Sequence, residues 1–357
     1  LYKIAFPQEF QEVIITGISH EHKMRISVVI PTCNRRKRLL LLLQNLEQSS
    51  YPLFEVIIVD SGEEKLETAD FLSFKHLHIS YIYSEKSVCI QRNTGIKKAG
   101  GEWIFLCDDD IEVPVDYLQK IVNHITDYPD AGAVSGLVLQ KEKNEWKSSY
   151  PVHSSLQLLW KYVFQLSIWG EIKCRNKFLL INKIEQFYKH KGNHISKAGW
   201  PVITDFSGNY FICPVYGLGA SIVKKEWLMQ SLYAEVLDRH GIGDNYGVSL
   251  NFPGKIHVVT GAFVYHHQEQ VNRLHRPLQY FRRVLALDYF VKTNKKLQFV
   301  KKTWLLWSLL GNLLEFIFVR DRMMIRPAFK AFWNIAWGKN PYYRAHKEKN
   351  RITEPVL

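Results

Sequence analysis

The sequence predicts an α/β fold: a Rossmann-like, mainly parallel central sheet with helices on both faces, followed by a C-terminal helical region. Three observations lead there. Short apolar runs of strand length alternate with segments of helical period between Ile26 and Val138. Two of these runs end in acids, Asp60 and Asp108-Asp109-Asp110, and open α/β sheets bind ligands at the carboxyl ends of their strands. From Arg276 onward the apolar spacing is helical, with Pro327 and Pro341 reading as breaks.

The elements follow in order. Ile26 to Pro31 is an apolar run closed by proline, a buried strand. Arg36 to Ser49 carries Leu39, Leu40, Leu42, Leu43 and Leu46 at helical spacing. Glu55 to Asp60 and Ile79 to Tyr83 are further strands. Ser87 to Ala99 reads as a helix stopped by Gly100-Gly101. Glu102 to Leu106 is a strand, Pro114 to Tyr128 a helix, and Ala133 to Val138 a strand. Residues 145–215 are less legible and read as an insertion, either lining an acceptor site or forming ordinary core plus loop. Tyr216 to Ser221 reads as a glycine-punctuated strand leading into a helix over Lys225 to Leu232. Gly241 to Asn245 is a turn before a short helix, and Ile256 to Tyr265 is a strand ending in His266-His267. The expected organisation is 1–24 leader or edge segment, 25–275 catalytic domain and 276–357 helical, membrane-associated region.

The 357 residues suffice for a large core, and a chain 46% hydrophobic and 23% charged is folded rather than disordered. A net charge of +13 points to anionic partners. Five scattered Cys without paired spacing argue against a zinc site or disulfide framework and fit a reducing compartment. The chain opens on Leu1 rather than Met, which suits a trimmed start, and no secretory signal is visible. The apolar stretch Trp304 to Val319 contains Asn312 and Glu315 and is short for a bilayer span. Three adjacent carboxylates repel one another, so Asp108 to Asp110 at a strand end call for positive charge. A divalent cation shared with substrate phosphates is the simplest supply; a solvated acidic turn is the bland alternative.

Several motifs stand in order: Val28-Val29-Ile30-Pro31-Thr32-Cys33-Asn34-Arg35, Val56 to Ser61, Arg92-Asn93-Thr94-Gly95, Ala99 to Asp110, Gly217 to Ser221 and Gly241 to Leu250. Together, over roughly residues 25 to 270, they resemble the inverting nucleotide-sugar glycosyltransferases of family 2, with the GT-A fold. The resemblance implies roles residue by residue. Pro31, Thr32 and Arg35 lie beside the nucleotide. Asp60 accepts the imide N–H of the base, which favours a UDP- or dTDP-sugar. Arg92 and Asn93 pack near the base and diphosphate. Asp108 and Asp110 are the DXD acids, one on the ribose or metal and the other on the metal (Mg²⁺ or Mn²⁺), with Asp109 between them in the nucleotide site. Gly219 and Ala220 let donor and acceptor approach the backbone.

The family's acid pair falls at Asp244-Asn245. Asp244 is then the general base, and Asn245, which takes no proton, departs from the pattern and contacts the donor or acceptor. Glu235 and Asp238 are the nearby alternatives. His266 is the expected additional metal ligand, with His267 the other choice. Arg273 and Lys292 are candidates to close over the diphosphate. The implied acceptor is a lipid-linked or cell-surface glycan. The aromatic and basic C-terminal helices suit an anionic membrane interface at the cytoplasmic face, or a helical layer packed on the catalytic domain. A nucleotidyltransferase and a catalytically inactive sugar-nucleotide-binding relative are the rivals. Nucleic acid is not expected, since nothing in the chain matches its common binding motifs.

Overall fold

The computed structural model describes residues 23–175, 178–237, 239–268 and 274–348. Nearly all of the expected leader, together with Asp238 and Arg273, lies outside the described residues. Strands β1 (Ile26–Thr32), β2 (Glu55–Asp60), β3 (Ile79–Tyr83) and β4 (Trp103–Cys107) form a parallel block in the order β3-β2-β1-β4. Alternate residues take opposite faces. Val28, Ile30, Val56 and Ile58 pack with the leucines of α1 (Arg36–Glu47) and with Leu118, Ile121 and Ile125 of α3 (Tyr117–Asp127). Val29, Ile57 and Val59 turn to the other core, with Cys89 and Ile96 of α2 (Val88–Lys98). These runs are apolar throughout because both faces are covered.

The other half of the sheet is mixed. β12 (Ala220–Lys224) runs antiparallel to both β4 and β6 (Ala133–Glu142). β13 (Ile256–His266) follows parallel to β6, and β11 (Tyr210–Cys213) closes that edge. Two short strands attach to it: β5 (Ile111–Glu112) on the end of β13, and β7 (Glu145–Lys147) on β6. The glycine-punctuated strand is shorter than expected. It starts at Ala220, and Tyr216 to Gly219 form the loop before it.

The insertion is more than loop. It holds α4 (Ser155–Val163), α5 (Leu179–Lys191) and a small sheet of β8 (Ile168–Trp169), β10 (Pro201–Ile203) and β9 (His194–Ile195). These share a core of their own around Leu158, Ile168, Ile181, Ile184 and Val202.

After α6 (Lys225–Gln230) and α7 (Asp244–Asn251) come α8 (Arg276–Thr293), α9 (Lys302–Phe318), α10 (Arg322–Ala336) and α11 (Pro341–Lys347). Their buried residues Leu285, Leu305, Leu309, Ala331, Ile335 and Tyr342 belong to the same cluster as one face of the sheet. Pro341 opens α11, but Pro327 lies inside α10 and does not break it. Interior proline costs about 3 kcal/mol. Burial of Met324, Ala328, Ala331 and Ile335 along one face of α10 outweighs that. Among the described residues no helix is long and apolar enough to cross a membrane.

Candidate active site

A cavity of about 430 Å³ opens at the carboxyl ends of β1 and β4. Its centre is the turn after β4. There Asp109 accepts hydrogen bonds from Thr32 Oγ1 (2.8 Å) and Arg35 (2.8 Å), and Arg35 also reaches Asp110 at 3.2 Å. Burial opposes the charge of Arg35, but Asp109 and then Asp110 outweigh it, so its pKa rises. Burial pushes Asp109 up to about 6, with Arg35 holding it down and Asp110 adding to the rise. The loop after β1 bends through Asn34 (φ 57), a residue type that tolerates the left-handed region, and Asn34 Oδ1 accepts from Glu63 N at 2.7 Å.

Arg92 of α2 is buried and bridges two carboxylates. It donates to Asp108 Oδ1 at 2.6 Å and to Asp244 Oδ2, under the ring of Tyr233. Burial works against its charge, but Asp244 and then Asp108 raise its pKa well above the usual value. Asp244 opens α7 after a turn through Gly241 (φ +58) and Gly243 (φ +94), backbone conformations that favour glycine. Its Oδ1 accepts from Asn245 N at 2.6 Å. Burial drives the Asp244 pKa up to about 6, against the pull of Arg92 and the Asn245 N–H, with Asp108 adding to the rise. Asn245 Oδ1 accepts from Tyr233 Oη at 3.2 Å, and the residue lines the cavity beside Asp244.

The two histidines separate cleanly. β5 pairs with the end of β13, His266 opposite Ile111, and His267 N donates to Asp110 O at 2.8 Å. His266 Nε2 lies 3.2 Å from Asp110 Oδ1, whereas His267 faces Glu112 at 2.8 Å. Cis ligands of an octahedral ion with bonds near 2.1 Å stand about 3.0 Å apart. The spacing of Asp110 and His266 is that of an ion pair, and it would also let both side chains hold one divalent ion. Among the described residues no group of three His, Cys, Asp or Glu is arranged to hold a metal by itself. Water and diphosphate oxygens suit the remaining positions, as is usual for Mg²⁺.

Other expected residues stand differently. Pro31 lines the cavity, but Asp60 is buried in an adjoining recess, accepting from Tyr81 Oη (2.9 Å) and Gly62 N (2.8 Å). Asn93 is absent from the cavity wall; it exchanges hydrogen bonds with the backbone of Tyr233 and donates to Glu235 at 3.0 Å. That contact ties Glu235 away from the cavity as well. Ala220 is fully buried within the sheet, its carbonyl accepting from Tyr117 and Ser135. Gly219 lines a neighbouring cavity beside Asp108 and His266, and a Cβ there would fall 2.0 Å from Asp108 Oδ2. Lys292 pairs with Asp288 at 2.7 Å rather than reaching the cavity.

Sequence reasoning missed Lys86, Gln91, Arg239 and Arg283, all on the wall. Gln91 Nε2 bonds both Thr32 O and Val59 O at 2.7 Å, stitching β1 to β2. Its position directly before Arg92 was the signal available. Arg283 was hidden in a long helical pattern.

A mixed sheet with acids clustered at its strand ends, a bridging buried arginine and a histidine facing the acids defines a GT-A-type site. Residues 27–182 match the family model described as Glycosyl transferase family 2. The chain is 33% identical over 135 residues to the uncharacterized glycosyltransferase YwdF of Bacillus subtilis, covering 37% of this chain and 49% of that one. It thus spans about half the length of that curated relative, and less of the next. Among solved structures it resembles mannosyltransferase PcManGT from Pyrobaculum calidifontis in complex with GDP-Man and Mn²⁺ (TM-score 0.51, 13% identity, 89% of each chain). It also resembles S. aureus TarS 1–349 in complex with UDP-GlcNAc (TM-score 0.50, 13% identity, 92% of this chain and 93% of that one). The fold is GT-A, and residues 27–182 are similar to the glycosyl transferase family 2 model.

Proposed function

We propose that the protein is a metal-dependent inverting glycosyltransferase. It moves a sugar from a nucleoside-diphosphate donor, a UDP- or dTDP-sugar by the Asp60 reading, to a hydroxyl of a lipid-linked or cell-surface glycan. One observation carries this: within a single cavity, Arg92 joins a carboxylate of the strand-end acidic turn to a buried carboxyl whose pKa is pushed to about 6. A general base works best with a pKa near the operating pH.

Asp244 takes the proton of the acceptor hydroxyl. The acceptor oxygen bonds to the anomeric carbon from the face opposite the diphosphate, and the bond from that carbon to the diphosphate oxygen breaks with its electron pair leaving on the diphosphate. Arg35, Lys86 and Arg239 offer positive charge to the departing group. Mg²⁺ or Mn²⁺ held by Asp110 and His266, with Asp108 alongside, would supply further charge neutralisation there. Pro31, Thr32 and Asp109 shape the nucleotide side, and Arg92 keeps Asp108 and Asp244 in register. The related folds hold both UDP- and GDP-linked sugars, so the preference for uracil or thymine rests on Asp60 alone.

Asn245 favours a second reading, a sugar-nucleotide-binding relative without turnover. Attachment to an anionic membrane at the cytoplasmic face goes with the first reading; the aromatic and basic face of α10 supports it.

Thermal denaturation with a panel of nucleotide sugars, with and without Mn²⁺, tests the proposal. A donor near 100 times its Kd stabilises by about 2.7 kcal/mol. Uridine or thymidine donors are expected to lead, and only with metal. Absence of stabilisation by every nucleotide sugar rejects the proposal. Stabilisation without transfer or hydrolysis selects the second reading.

A further inference from the structure

A second cavity, of about 450 Å³, adjoins the nucleotide cavity and shares Gly243, Asp244, Asn245 and Arg283 with it. It lies between the insertion and α8. Its walls are Trp169, Trp200, Tyr216, Tyr246, Leu287 and Phe290. The polar tips of the four aromatic residues with a polar atom each hold one hydrogen bond already. Tyr246 Oη donates to Gly199 O at 2.5 Å, Trp200 Nε1 to Ser308 Oγ at 3.0 Å and Trp169 Nε1 to Ser148 O at 3.1 Å. Tyr216 Oη accepts from Val138 N at 3.4 Å, and Ser167 Oγ donates to Pro201 O at 2.9 Å. Apart from the Tyr216 O–H, which can still donate, the wall presents mainly ring faces and aliphatic carbon. The other hydrogen-bonding side chains remaining to a ligand, Asp244, Asn245 and Arg283, sit at the end shared with the nucleotide cavity.

Gly217 is the second observation. It lines this cavity, its φ does not call for glycine, and a Cβ there would have no heavy atom within 4 Å. Neither backbone nor neighbours require glycine, and a larger side chain would take up open space where this cavity meets the one beside Asp108 and His266.

We propose that this cavity receives the apolar body of an amphiphilic acceptor, with the hydroxyl to be glycosylated beside Asp244. The proposal deepens the glycosyltransferase reading and rests on Asp244 as its base. A saccharide could stack a C–H face on these rings, but most of its hydroxyls would find partners only at the shared end and at Tyr216 Oη, whereas a hydrocarbon body needs none. The hydrocarbon is acyl or isoprenoid, and the two are separated by the probes.

The test uses the full chain and its tryptophan fluorescence, since Trp169 and Trp200 line the cavity. Octyl β-glucoside below its micelle concentration, farnesol and methyl β-glucoside are titrated in turn. At least one of the first two is expected to give saturable binding, at least tenfold tighter than methyl β-glucoside. Octyl β-glucoside leading indicates an acyl body, and farnesol leading an isoprenoid one. Gly217→Phe is expected to weaken that binding at least tenfold while keeping wild-type thermal stabilisation by UDP or GDP with Mn²⁺. If Gly217→Phe does not fold, Trp169→Ala is held to the same criteria. Binding of both amphiphiles no tighter than that of methyl β-glucoside, no saturable binding of either amphiphile, or unchanged affinity in the folded variants overturns the proposal. Nucleotide stabilisation without amphiphile binding overturns this proposal alone; amphiphile binding without nucleotide stabilisation overturns the glycosyltransferase reading beneath it.

Discussion

Asp244 is a carboxyl held out of water beside a buried guanidinium, and the balance between those two effects sets its chemistry. Burial dominates, so its pKa stands at about 6 instead of 3.8. The charges facing it are Arg92, Asp108 and, in its ionised form, Tyr233. A base acts in its ionised form, so transfer is expected to hold above pH 6 and to fall about tenfold per unit below it. A transfer rate measured from pH 5 to 8 checks this, and a flat profile across pH 6 removes Asp244 as base. Stability runs the other way. A folded-state pKa above the unfolded value favours the fold fully below pH 3.8, and that contribution is lost as pH rises through about 6. Asp244→Asn should cost roughly 10²–10⁴-fold in transfer with nucleotide binding kept. Asp244, Arg92 and the acidic turn were legible as residue types in ordered motifs. Asn93 was not, because only the fold reveals that it bonds the backbone of Tyr233 and stands off the cavity wall. Gly219 was legible as small, but the space that Asp108 takes against it was not.

At the scale of elements, α10 shows what helical spacing discloses and what it conceals. At 100° per residue, Arg322, Met323, Arg326, Phe329, Lys330 and Trp333, with Trp337 just past the end, fall on one arc of roughly 120°. The opposite face carries the buried residues Met324, Ala328, Ala331 and Ile335. Both faces are apolar in part, so the sequence alone leaves open which one meets the core. The folded chain leaves Met323, Phe329, Trp333 and Trp337 about half or more exposed, with only cations among them. This pattern suits an anionic bilayer interface. Arg322→Gln/Arg326→Gln/Lys330→Gln together should weaken sedimentation with phosphatidylglycerol vesicles at least tenfold, as should high salt. Unchanged binding at low salt would move the contact elsewhere. Point substitution is the cleaner test than truncation, because Leu305, Leu309 and Tyr342 of the flanking helices complete the core. The direction of β12 was equally concealed: an apolar run states burial, not polarity relative to its neighbours.

At the scale of the whole molecule, the site is assembled across the sheet. β4 and β13 are separated by β12 and β6, yet Asp110 and His266 meet. They meet because the chain leaving the acidic turn runs as β5 across the strand ends and pairs with the last residues of β13. Strand order is not written in a local pattern, so the sequence named both residues without the path that joins them. An ion held by Asp110 and His266 would tie the parallel half of the sheet, through β4, to the mixed half, through β13. Its binding energy then adds to global stability by mass action, about 2.7 kcal/mol at 100 times Kd. Mn²⁺ with UDP should therefore raise the melting temperature of the whole chain in one transition, and Asp110→Asn should abolish the Mn²⁺-dependent part of that rise. His266→Ala should reduce it, whereas His267→Ala, whose ring faces Glu112, should leave it intact. Equal losses in the two histidine variants would mean that the end of β13 acts through its pairing with β5 and not through a side chain on the metal.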